Sequence, residues 1–272
     1  MAMIVKSVLV TGTTSGVGRA LLQHYAKSGV PVIAVNRRRV PVLEAEYPGV
    51  RFECVDVRSA KDVLELVLRL AQAGNLPEVF ILNAGINRVD NDESFDLSSY
   101  QSVIDTNLYG VLNFVQPLTQ LAVGERPRHV IAISSMAHYV GNPYALGYHT
   151  SKRALTACFT TWASMYRGTD LVFQRVMLGP VRSGIYTMGE RFPSWMVWLR
   201  NVFSGSLEGT ARAVARFATT RRSRLFHPVR AVPLYFGMWL CRSLIPGFFR
   251  GRKSLAGRAR RQSGGHDTAS KG

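Results

Sequence analysis

Residues 8–18 read Val8-Leu-Val-Thr-Gly12-Thr-Thr-Ser-Gly16-Val-Gly18, an apolar run followed by three spaced glycines. The run predicts a first strand, and the amphipathic stretch after it predicts a first helix. Glycines at such a turn let the backbone approach a pyrophosphate, and the helix N-terminus adds N–H donors. Tight packing alone also favours glycine, but a position between strand and helix favours phosphate binding. The candidate contacts are Gly12, Thr14, Ser15, Gly16, Val17 and Gly18.

Short apolar runs continue to alternate with amphipathic stretches as far as residue 180. Strands are predicted at 7–10, 30–35, 51–55, 79–82, 129–134 and 171–177, and helices at 16–28, 61–73 and 100–123. Strands that are apolar along their whole length and separated by helices imply a parallel sheet covered on both faces. We therefore predict an α/β fold with a doubly wound parallel sheet (a Rossmann fold), built as a single domain with a helical C-terminal extension.

Charge divides the chain of 272 residues into two unequal parts. The whole chain has 34 Lys and Arg against 17 Asp and Glu, a net charge of +17. Residues 1–180 hold 17 basic and 14 acidic side chains, whereas residues 181–272 hold 17 basic and 3 acidic ones. We divide the chain into a core at 1–183, a substrate lid with apolar helices at 184–249, and a basic disordered tail at 250–272. The basic part could meet nucleic acid, an anionic membrane or an acidic substrate.

Cysteine usage and hydropathy indicate the cellular compartment of the protein. Cys54, Cys158 and Cys241 are far apart and match no metal-ligand spacing, so no metal site is expected. A sparse, odd count fits a reducing compartment. No signal peptide precedes the first apolar run, and no run of about 20 apolar residues is present. These features predict a cytoplasmic protein.

The second predicted strand ends at Val35-Asn36-Arg37-Arg38-Arg39. A carboxylate there would accept hydrogen bonds from the ribose hydroxyls of NAD, whereas an arginine suits a 2′-phosphate. NADPH is therefore favoured over NADH, with Arg37 as the first candidate and Arg38 as the next; an ordinary solvated basic turn is the alternative. Asp56 and Val57 follow the third strand. Asp56 would contact the adenine amino group or cap the following helix.

A tyrosine and a lysine are placed four residues apart in Tyr148-His-Thr-Ser-Lys152, hence on one face of a helix. A nearby ammonium lowers the pKa of a tyrosine because it stabilises the phenolate. Ser135 lies thirteen residues earlier, at the end of a predicted strand, where its hydroxyl can donate to a carbonyl oxygen. Such a set can protonate and orient a carbonyl group.

Taken together, these residues resemble the short-chain dehydrogenase/reductase family. The family's motifs stand here at residues 11–18 (T-G-x-x-x-G-x-G), 83–85 (N-A-G), Asn107, Ser135 and 148–152 (Y-x-x-x-K). The turn Gly179-Pro180-Val181-Arg182-Ser183 resembles the Gly-Pro-Val order of steroid- and retinol-dehydrogenase-like members. Ser183 replaces the usual threonine beside the nicotinamide carboxamide. The resemblance covers about residues 5–185.

The resemblance implies a hydride transfer between a nicotinamide and a carbonyl or alcohol. Tyr148 would protonate the oxygen, Ser135 would orient the carbonyl, Lys152 would hold ribose hydroxyls, and Asn107 would hold a water that leads to Lys152. Further cofactor contacts would be Asn83, Ala84, Gly85, Pro180, Val181 and Ser183. A homodimer or homotetramer is expected. The alternative is a protein that binds the dinucleotide for regulation or scaffolding without turnover.

The segment after residue 183 is crowded with bulky apolar side chains. They are Phe192, Trp195, Met196, Trp198, Leu199 and Phe203. As a lid they would favour a lipophilic substrate that is steroid-like, retinoid-like or acyl-like; packing in the core or at a subunit interface is the other interpretation.

The stretch at 233–249 combines aromatic residues with flanking arginines. It would lie on an anionic membrane at the inner surface, or dock as a C-terminal helix on the domain. Residues 250–261 are basic enough to contact phosphate, but no nucleic-acid recognition module accompanies them. We expect no nucleic-acid partner.

Overall fold

Seven parallel strands form one sheet in the computed structural model, which describes residues 5–88, 95–121, 127–139, 145–182, 198 and 201–240. They are β1 (Val8–Thr11), β2 (Val32–Asn36), β3 (Arg51–Cys54), β4 (Val79–Leu82), β5 (Arg128–Ser135), β6 (Leu171–Leu178) and β7 (Arg224–His227). Their order in the sheet is β3-β2-β1-β4-β5-β6-β7. The predicted doubly wound α/β fold is confirmed, and each of the six predicted strands is present to within two residues at either end.

Helices cover both faces of this sheet. Within the described ranges they are α1 (Gly16–Lys27), α2 (Pro41–Glu46), α3 (Ala60–Gln72), α4 (Leu97–Ile104), α5 (Gly110–Gln120), α6 (Leu146–Met165), α7 (Leu207–Ala218) and α8 (Val232–Leu240). One face packs against α1 and α7, and the other packs against α3, α5 and α6. Strands β1, β2, β4, β5 and β6 are buried along their whole length because both faces are covered.

The start of α3 answers one question left open by the sequence. Ser59 is the N-cap of this helix, and its side-chain oxygen accepts a hydrogen bond from the backbone N–H of Asp62 at 3.2 Å. The alternative in which Asp56 caps the helix is therefore wrong. Asp56 instead lies in the loop between β3 and α3.

The predicted helix at 100–123 is divided in the structure. Helix α4 begins earlier, at Leu97, where Asp96 caps it, and a π-helical turn at Asp105–Tyr109 separates it from α5. Single π turns inside helices often occur at functional sites. Apolar periodicity could not locate this turn because the burial pattern continues across it.

Strand β7 was missed by the sequence analysis. Its residues, Arg224-Leu-Phe-His227, begin with an arginine and follow two others, Arg221 and Arg222, so no apolar run marks the strand. The strand lies at the edge of the sheet and is half-exposed, so it needs no continuous apolar run. The buried Gln174 on β6 donates to the carbonyls of Thr220 and Arg222, both at 2.8 Å, and thereby joins the end of α7 to the start of β7.

The order of the strands fixes where a ligand can bind. The chain runs outward from β1 to β3 and then returns to place β4 on the other side of β1. The loops after β1 and β4 therefore separate and open a crevice at the carboxyl ends of these strands. Ligands of doubly wound sheets bind at this switch point.

Candidate active site

The turn after β1 has a backbone that requires glycine. Gly12 and Gly16 have φ values of +71° and +56°, in the left-handed region that side chains disfavour. A Cβ at Gly12 would lie 2.9 Å from the Cα of Ala84, and one at Gly18 would lie 1.9 Å from the carbonyl oxygen of Gly12. The Ser15 side chain makes no capping bond, so the first amides of α1 stay open to a ligand.

Two asparagines hold this turn in place. The Asn36 side chain is buried at the end of β2, where its Oδ1 accepts from the N–H of Thr13 and its Nδ2 donates to Oγ1 of Thr13, both at 2.8 Å. Asn83 donates from Nδ2 to the carbonyls of Thr11 and Gly12 at 3.0 and 3.1 Å. Asn83 is therefore a positioning residue. The role of Asn36 was missed; its only signal is an amide at the end of an apolar strand.

A cavity of about 400 Å³ lies over this turn and the neighbouring strand ends. The predicted residues that line it are Gly12, Thr14, Ser15, Val17, Arg37, Asp56, Val57, Asn83, Ala84, Gly85, Ser135, Tyr148, Lys152 and Val181. Gly16, Gly18, Asn107 and Pro180 are not among its lining residues, and Ser183 lies outside the described residues. Residues far apart in sequence are thus brought to one cavity.

Tyr148 and Lys152 lie together on α6 at one end of the cavity. The Lys152 Nζ is 5.8 Å from the centroid of the Tyr148 ring and donates to the carbonyl of Ile133 at 2.8 Å. Burial lowers the pKa of Lys152 to about 8, because the charged ammonium loses its hydration. The four-residue spacing therefore places the ammonium beside the phenol, as predicted.

Ser135 ends β5 on the same side of the cavity. Its Oγ donates to the carbonyl of Leu178 at 3.2 Å and accepts from the N–H of Ala137 at 3.1 Å. The hydroxyl is buried and held at the junction of two parallel strands. A hydroxyl with a fixed position can orient a carbonyl group bound beside it.

Asn107 lies in the π turn and links two parts of the site. Its Oδ1 accepts from the N–H of Ile86 at 2.7 Å, while its Nδ2 donates to the carbonyl of Ile86 at 2.9 Å and to Oγ of Ser151 at 3.1 Å. Ser151 in turn donates to the carbonyl of Tyr148 at 2.8 Å. The side chain thus positions the loop after β4 against α6. That Asn107 also holds a water stays a prediction.

Arginines line the opposite end of the cavity. Arg37 and Arg38 both face it, and neither forms an ion pair within the described part of the chain. Arg39 instead binds Glu44 and lowers the pKa of that carboxyl. These arginines, which have no ion-pair partner in the described chain, and the glycine turn, which leaves no room for a Cβ, fit a bound dinucleotide.

Asp56 has a partner that the sequence analysis missed. The Asp56 carboxylate accepts from Nε and Nη2 of Arg58, at 3.0 and 2.6 Å, and both residues line the cavity. Arg58 lowers the pKa of Asp56 most, and the charge of Arg37 adds to this shift. The sequence alone gave no sign that Arg58, two positions after Asp56, would pair with it.

The C-terminal segment, as far as residue 240, packs beside the end of the cavity that holds Ser135 and Tyr148. Helix α8 lies against the 3-10 turn Met136–Tyr139 that follows Ser135, and Tyr235 packs with Met136 and Met177. Burial raises the pKa of Tyr235 to about 12, and the nearby Tyr148 contributes to this shift. Of the two alternatives for this stretch, docking on the domain as a C-terminal helix is therefore observed as far as residue 240.

The bulky lid residues are only partly described. Phe203 packs half-buried against the cluster that contains Met136, and Trp198 is exposed. Phe192, Trp195, Met196 and Leu199 lie outside the described residues. A lid over the substrate therefore stays a prediction.

A doubly wound fold whose switch-point cavity joins a glycine turn to serine, tyrosine and lysine side chains defines a nicotinamide-dependent oxidoreductase. Residues 6–190 match the family model described as short chain dehydrogenase. The chain belongs to the short-chain dehydrogenase/reductase family and is an NAD(P)-dependent oxidoreductase.

Relatives and solved structures agree with this assignment. An uncharacterized oxidoreductase of Myxococcus xanthus is 32% identical over 196 residues, covering 69% of this chain and 76% of that protein. The 3-oxoacyl-[acyl-carrier-protein] reductase FabG of Thermotoga maritima is 27% identical over 194 residues, covering 69% and 78%. A short-chain dehydrogenase from Streptomyces avermitilis has the same fold, with a TM-score of 0.74 at 21% identity over 93% of this chain and all of that one.

The described residues contain neither a membrane-spanning helix nor a cluster of metal-ligand side chains. None of the helices there is both long and apolar enough to cross a bilayer. The same part of the chain contains no group of three or more His, Cys, Asp or Glu side chains that could hold a metal ion.

Proposed function

We propose that this protein is an NADPH-dependent reductase of a lipophilic ketone or aldehyde, which can also run in reverse on the alcohol. The observation that supports it is the placement of Tyr148, Lys152 and Ser135 at one end of a single cavity, with unpaired arginines at the other. The proposed catalytic residues are Ser135, Tyr148 and Lys152, with Asn107 as their positioning residue.

The roles follow from the chemistry of each group. When bound, NADPH supplies a hydride to the carbonyl carbon. The Tyr148 hydroxyl gives its proton to the carbonyl oxygen. Ser135 turns its hydroxyl proton from the Leu178 carbonyl to that oxygen and orients it by a hydrogen bond. The Lys152 ammonium stabilises the phenolate left on Tyr148 and lies where it can hold ribose hydroxyls. A neutral Lys152 would no longer stabilise the phenolate.

Substitution of Tyr148 tests catalysis apart from binding. Tyr148→Phe should lower kcat at least about 100-fold, because the proton donor is gone, and leave the Kd for NADPH within about twofold. Tyr166→Phe, at the far end of the same helix, is the matched control and should keep full activity. A wild-type protein that binds NADPH but turns over no member of a broad carbonyl panel would favour the binding-only alternative.

The preference for NADPH rests on Arg37 and Arg38. Both lack an ion-pair partner in the described chain and line the cavity, so a 2′-phosphate would neutralise them. Arg37→Gln should weaken NADPH binding about tenfold and spare NADH, measured by titration calorimetry. Arg39→Gln is the control, because Arg39 binds Glu44 outside the cavity. An equal loss for both cofactors in Arg37→Gln would contradict the assignment.

A lipophilic substrate is supported by the apolar cluster beside Ser135. Met136, Tyr139, Phe203 and Tyr235 pack there, next to the catalytic tyrosine. The related FabG proteins are named for 3-oxoacyl substrates, which combine a carbonyl with an alkyl chain. Among acyl ketones of increasing chain length, kcat/KM should rise with length; a flat series or a preference for sugars would contradict the proposal. Assignment to the steroid-type branch stays a prediction.

Peripheral contact with an anionic membrane is a second proposal, for the outer side of α8. Phe236, Leu240 and the preceding Val229 are exposed, with Arg230 beside them. A Phe236→Ser, Leu240→Ser double variant should release the protein from phosphatidylserine vesicles while activity is retained. Unchanged binding would contradict the proposal.

Self-association into a dimer or tetramer is proposed from the family and is tested by light scattering.

A further inference from the structure

Two arginines face each other near the edge of the sheet, outside the cofactor cavity. Arg175 on β6 and Arg224 on β7 are direct partners in the parallel register. Met177 and Phe226, each two residues further along its strand, pack in the same apolar cluster, so the two arginines also share this face of the sheet. Neither arginine lines the cofactor cavity.

Arg175 is a buried cation that has no acidic partner in the described chain. The residue is only 7% exposed, and none of the ion pairs found there includes it. Its Nε is buried without a hydrogen-bond partner, and its Nη1 makes only a long contact of 3.5 Å with the carbonyl of Ser223. Burial of such a group is costly unless an acceptor reaches its free donor.

Arg224 makes the pair accessible from solvent. Strand β7 is the last strand of the sheet, and Arg224 is exposed at its start. Its guanidinium carbon lies 4.9 Å from the centroid of the Phe226 ring, a cation–π contact that limits where the group can lie. Like charges directly opposite each other on neighbouring strands, which lie about 4.8 Å apart, repel. An anion bound to both would offset this repulsion.

The facing cations distinguish Arg175 from the other buried arginine of the sheet. Arg128, at the start of β5, is also buried, but the residue opposite it on β6 is the uncharged Leu171. Its Nε donates to the carbonyl of Pro77 at 3.4 Å. Among the paired strand residues of the described sheet, only Arg175 and Arg224 are both cations.

We propose that Arg175 and Arg224 form a phosphate-binding site that is separate from the cofactor cavity. The planar guanidinium fork matches phosphate oxygens, and a phosphate can accept from both strands at once because its oxygens point in several directions. The buried Nε of Arg175 is the inner donor, and Arg224 binds from the solvent side. The phosphate belongs to a small soluble molecule or to a lipid headgroup. The site goes beyond the proposed reductase activity and does not depend on it.

Thermal melts of the full chain in inorganic phosphate and in chloride, at equal ionic strength, test the site. The wild type should melt about 2–4 °C higher in phosphate. Arg175→Met and Arg224→Gln should each lose at least about half of this shift. In chloride, Arg175→Met should melt no lower than the wild type, because an apolar side chain replaces a buried, unpaired cation. Arg224→Gln, at an exposed position, keeps the test available should Arg175→Met fail to fold.

Arg221→Gln is the matched control for the lost charge. It removes one cation near the same edge, but Arg221 pairs with Asp170 at 3.1 Å, so this variant should keep the full phosphate shift. Equal shifts in the wild type, Arg175→Met and Arg224→Gln would overturn the inference. A shift that is lost only in Arg37→Gln would also overturn it, because the anion would then lie in the cofactor cavity.

Vesicle sedimentation identifies the source of the phosphate. Phosphatidylcholine vesicles that contain phosphatidic acid are compared with vesicles whose negative charge comes from a fatty acid carboxylate. If Arg175→Met and Arg224→Gln weaken binding to the phosphatidic acid vesicles alone, relative to Arg221→Gln, the site takes a lipid headgroup. Unchanged vesicle binding together with a lost phosphate shift assigns a small soluble phosphate compound. Both variants should keep the Kd for NADPH within about twofold, which separates this site from the proposed cofactor preference.

Discussion

Gly18 shows how a single residue determines the shape of the cofactor turn. A Cβ there would lie 1.9 Å from the Gly12 carbonyl oxygen and 2.5 Å from Nδ2 of Asn83, so the backbone must move to accept it. Gly18→Ala should lower the free energy of unfolding by about 1–3 kcal/mol and weaken dinucleotide binding, because the turn is displaced. Denaturant unfolding and cofactor titration measure the two effects.

Gly49→Ala is the matched control for this change. Nothing lies within 4 Å of a Cβ at Gly49, and its backbone is not left-handed, so stability should change little. An equal loss in both variants would mean that steric overlap at Gly18 is not the cause.

Burial of Lys152 makes the free energy of unfolding depend on pH. Its pKa falls from an ordinary 10.5 to about 8 on folding, so between these values the unfolded chain binds more protons than the folded one. Stability from this group therefore rises with pH across that window, and the full cost of burying the charge is present below pH 8.

Lys152→Met removes this titration. The stability of the wild type relative to the variant should rise by up to about 1.4 kcal/mol per pH unit between pH 8 and 10, measured by urea unfolding. Other titrating groups cancel in the difference. A difference that stays flat across this range would show that Lys152 is not strongly desolvated.

Residue types and their spacing were enough to predict that Ser135, Tyr148 and Lys152 meet in one cavity. Helical periodicity alone places Tyr148 beside Lys152, and the end of a parallel strand places Ser135 near them. The partners of Asp56 and Asn36 could not be predicted, because pairing depends on side-chain directions in loops that no periodic pattern describes. Arg37 and Arg39 illustrate the point, since these identical residues lie two positions apart and have different surroundings.

Helix α8 presents one buried face and one exposed face. Tyr235 packs on Met136 and Met177 beside the site, whereas its neighbour Phe236 is exposed and stacks on Trp239. Tyr235→Ala should destabilise the protein by about 2–4 kcal/mol and raise KM for lipophilic substrates, with Kd for NADPH unchanged. Phe236→Ala should alter neither. Melting curves and steady-state kinetics test this, and equal effects would contradict the assignment of the faces.

Central strands were easier to predict than edges. Strand β4, which is covered on both sides, is a continuous apolar run, and β5 contains such a run at residues 130–133. Strand β7 is basic and half-exposed, and it is held by contacts from Gln174 that are remote in sequence. The π turn at Asp105–Tyr109 continues the burial spacing of the helices around it, with Asn107 as its buried residue. Tertiary contacts, rather than local preference, determine both elements.

At the scale of the whole molecule, most of the net charge of +17 belongs to the last third of the chain. We propose that residues 250–272, which include seven basic side chains and one acidic side chain, form a tail that takes no part in folding. A chain ending at residue 249 should keep its Tm within about 2 °C and its kcat, since that segment has few apolar residues.

The same truncation should weaken binding to anionic vesicles at low salt, because it removes basic charge. Light-scattering and calorimetric measurements on both chains make the comparison. A Tm lowered by several degrees would show that the tail contributes to the folded domain.

The hydrogen bonds of Asn36 limit how the preference between NADPH and NADH can change during evolution. Its amide bridges the end of β2 to the glycine turn, so an acidic replacement would delete the Nδ2 donor to Thr13 along with any change in selectivity. The side chain of Arg37, the next residue, forms no such structural hydrogen bond among the described contacts. Changes of cofactor preference are therefore less constrained at position 37 than at position 36. These two adjacent residues, at the end of β2 and just after it, should evolve at different rates.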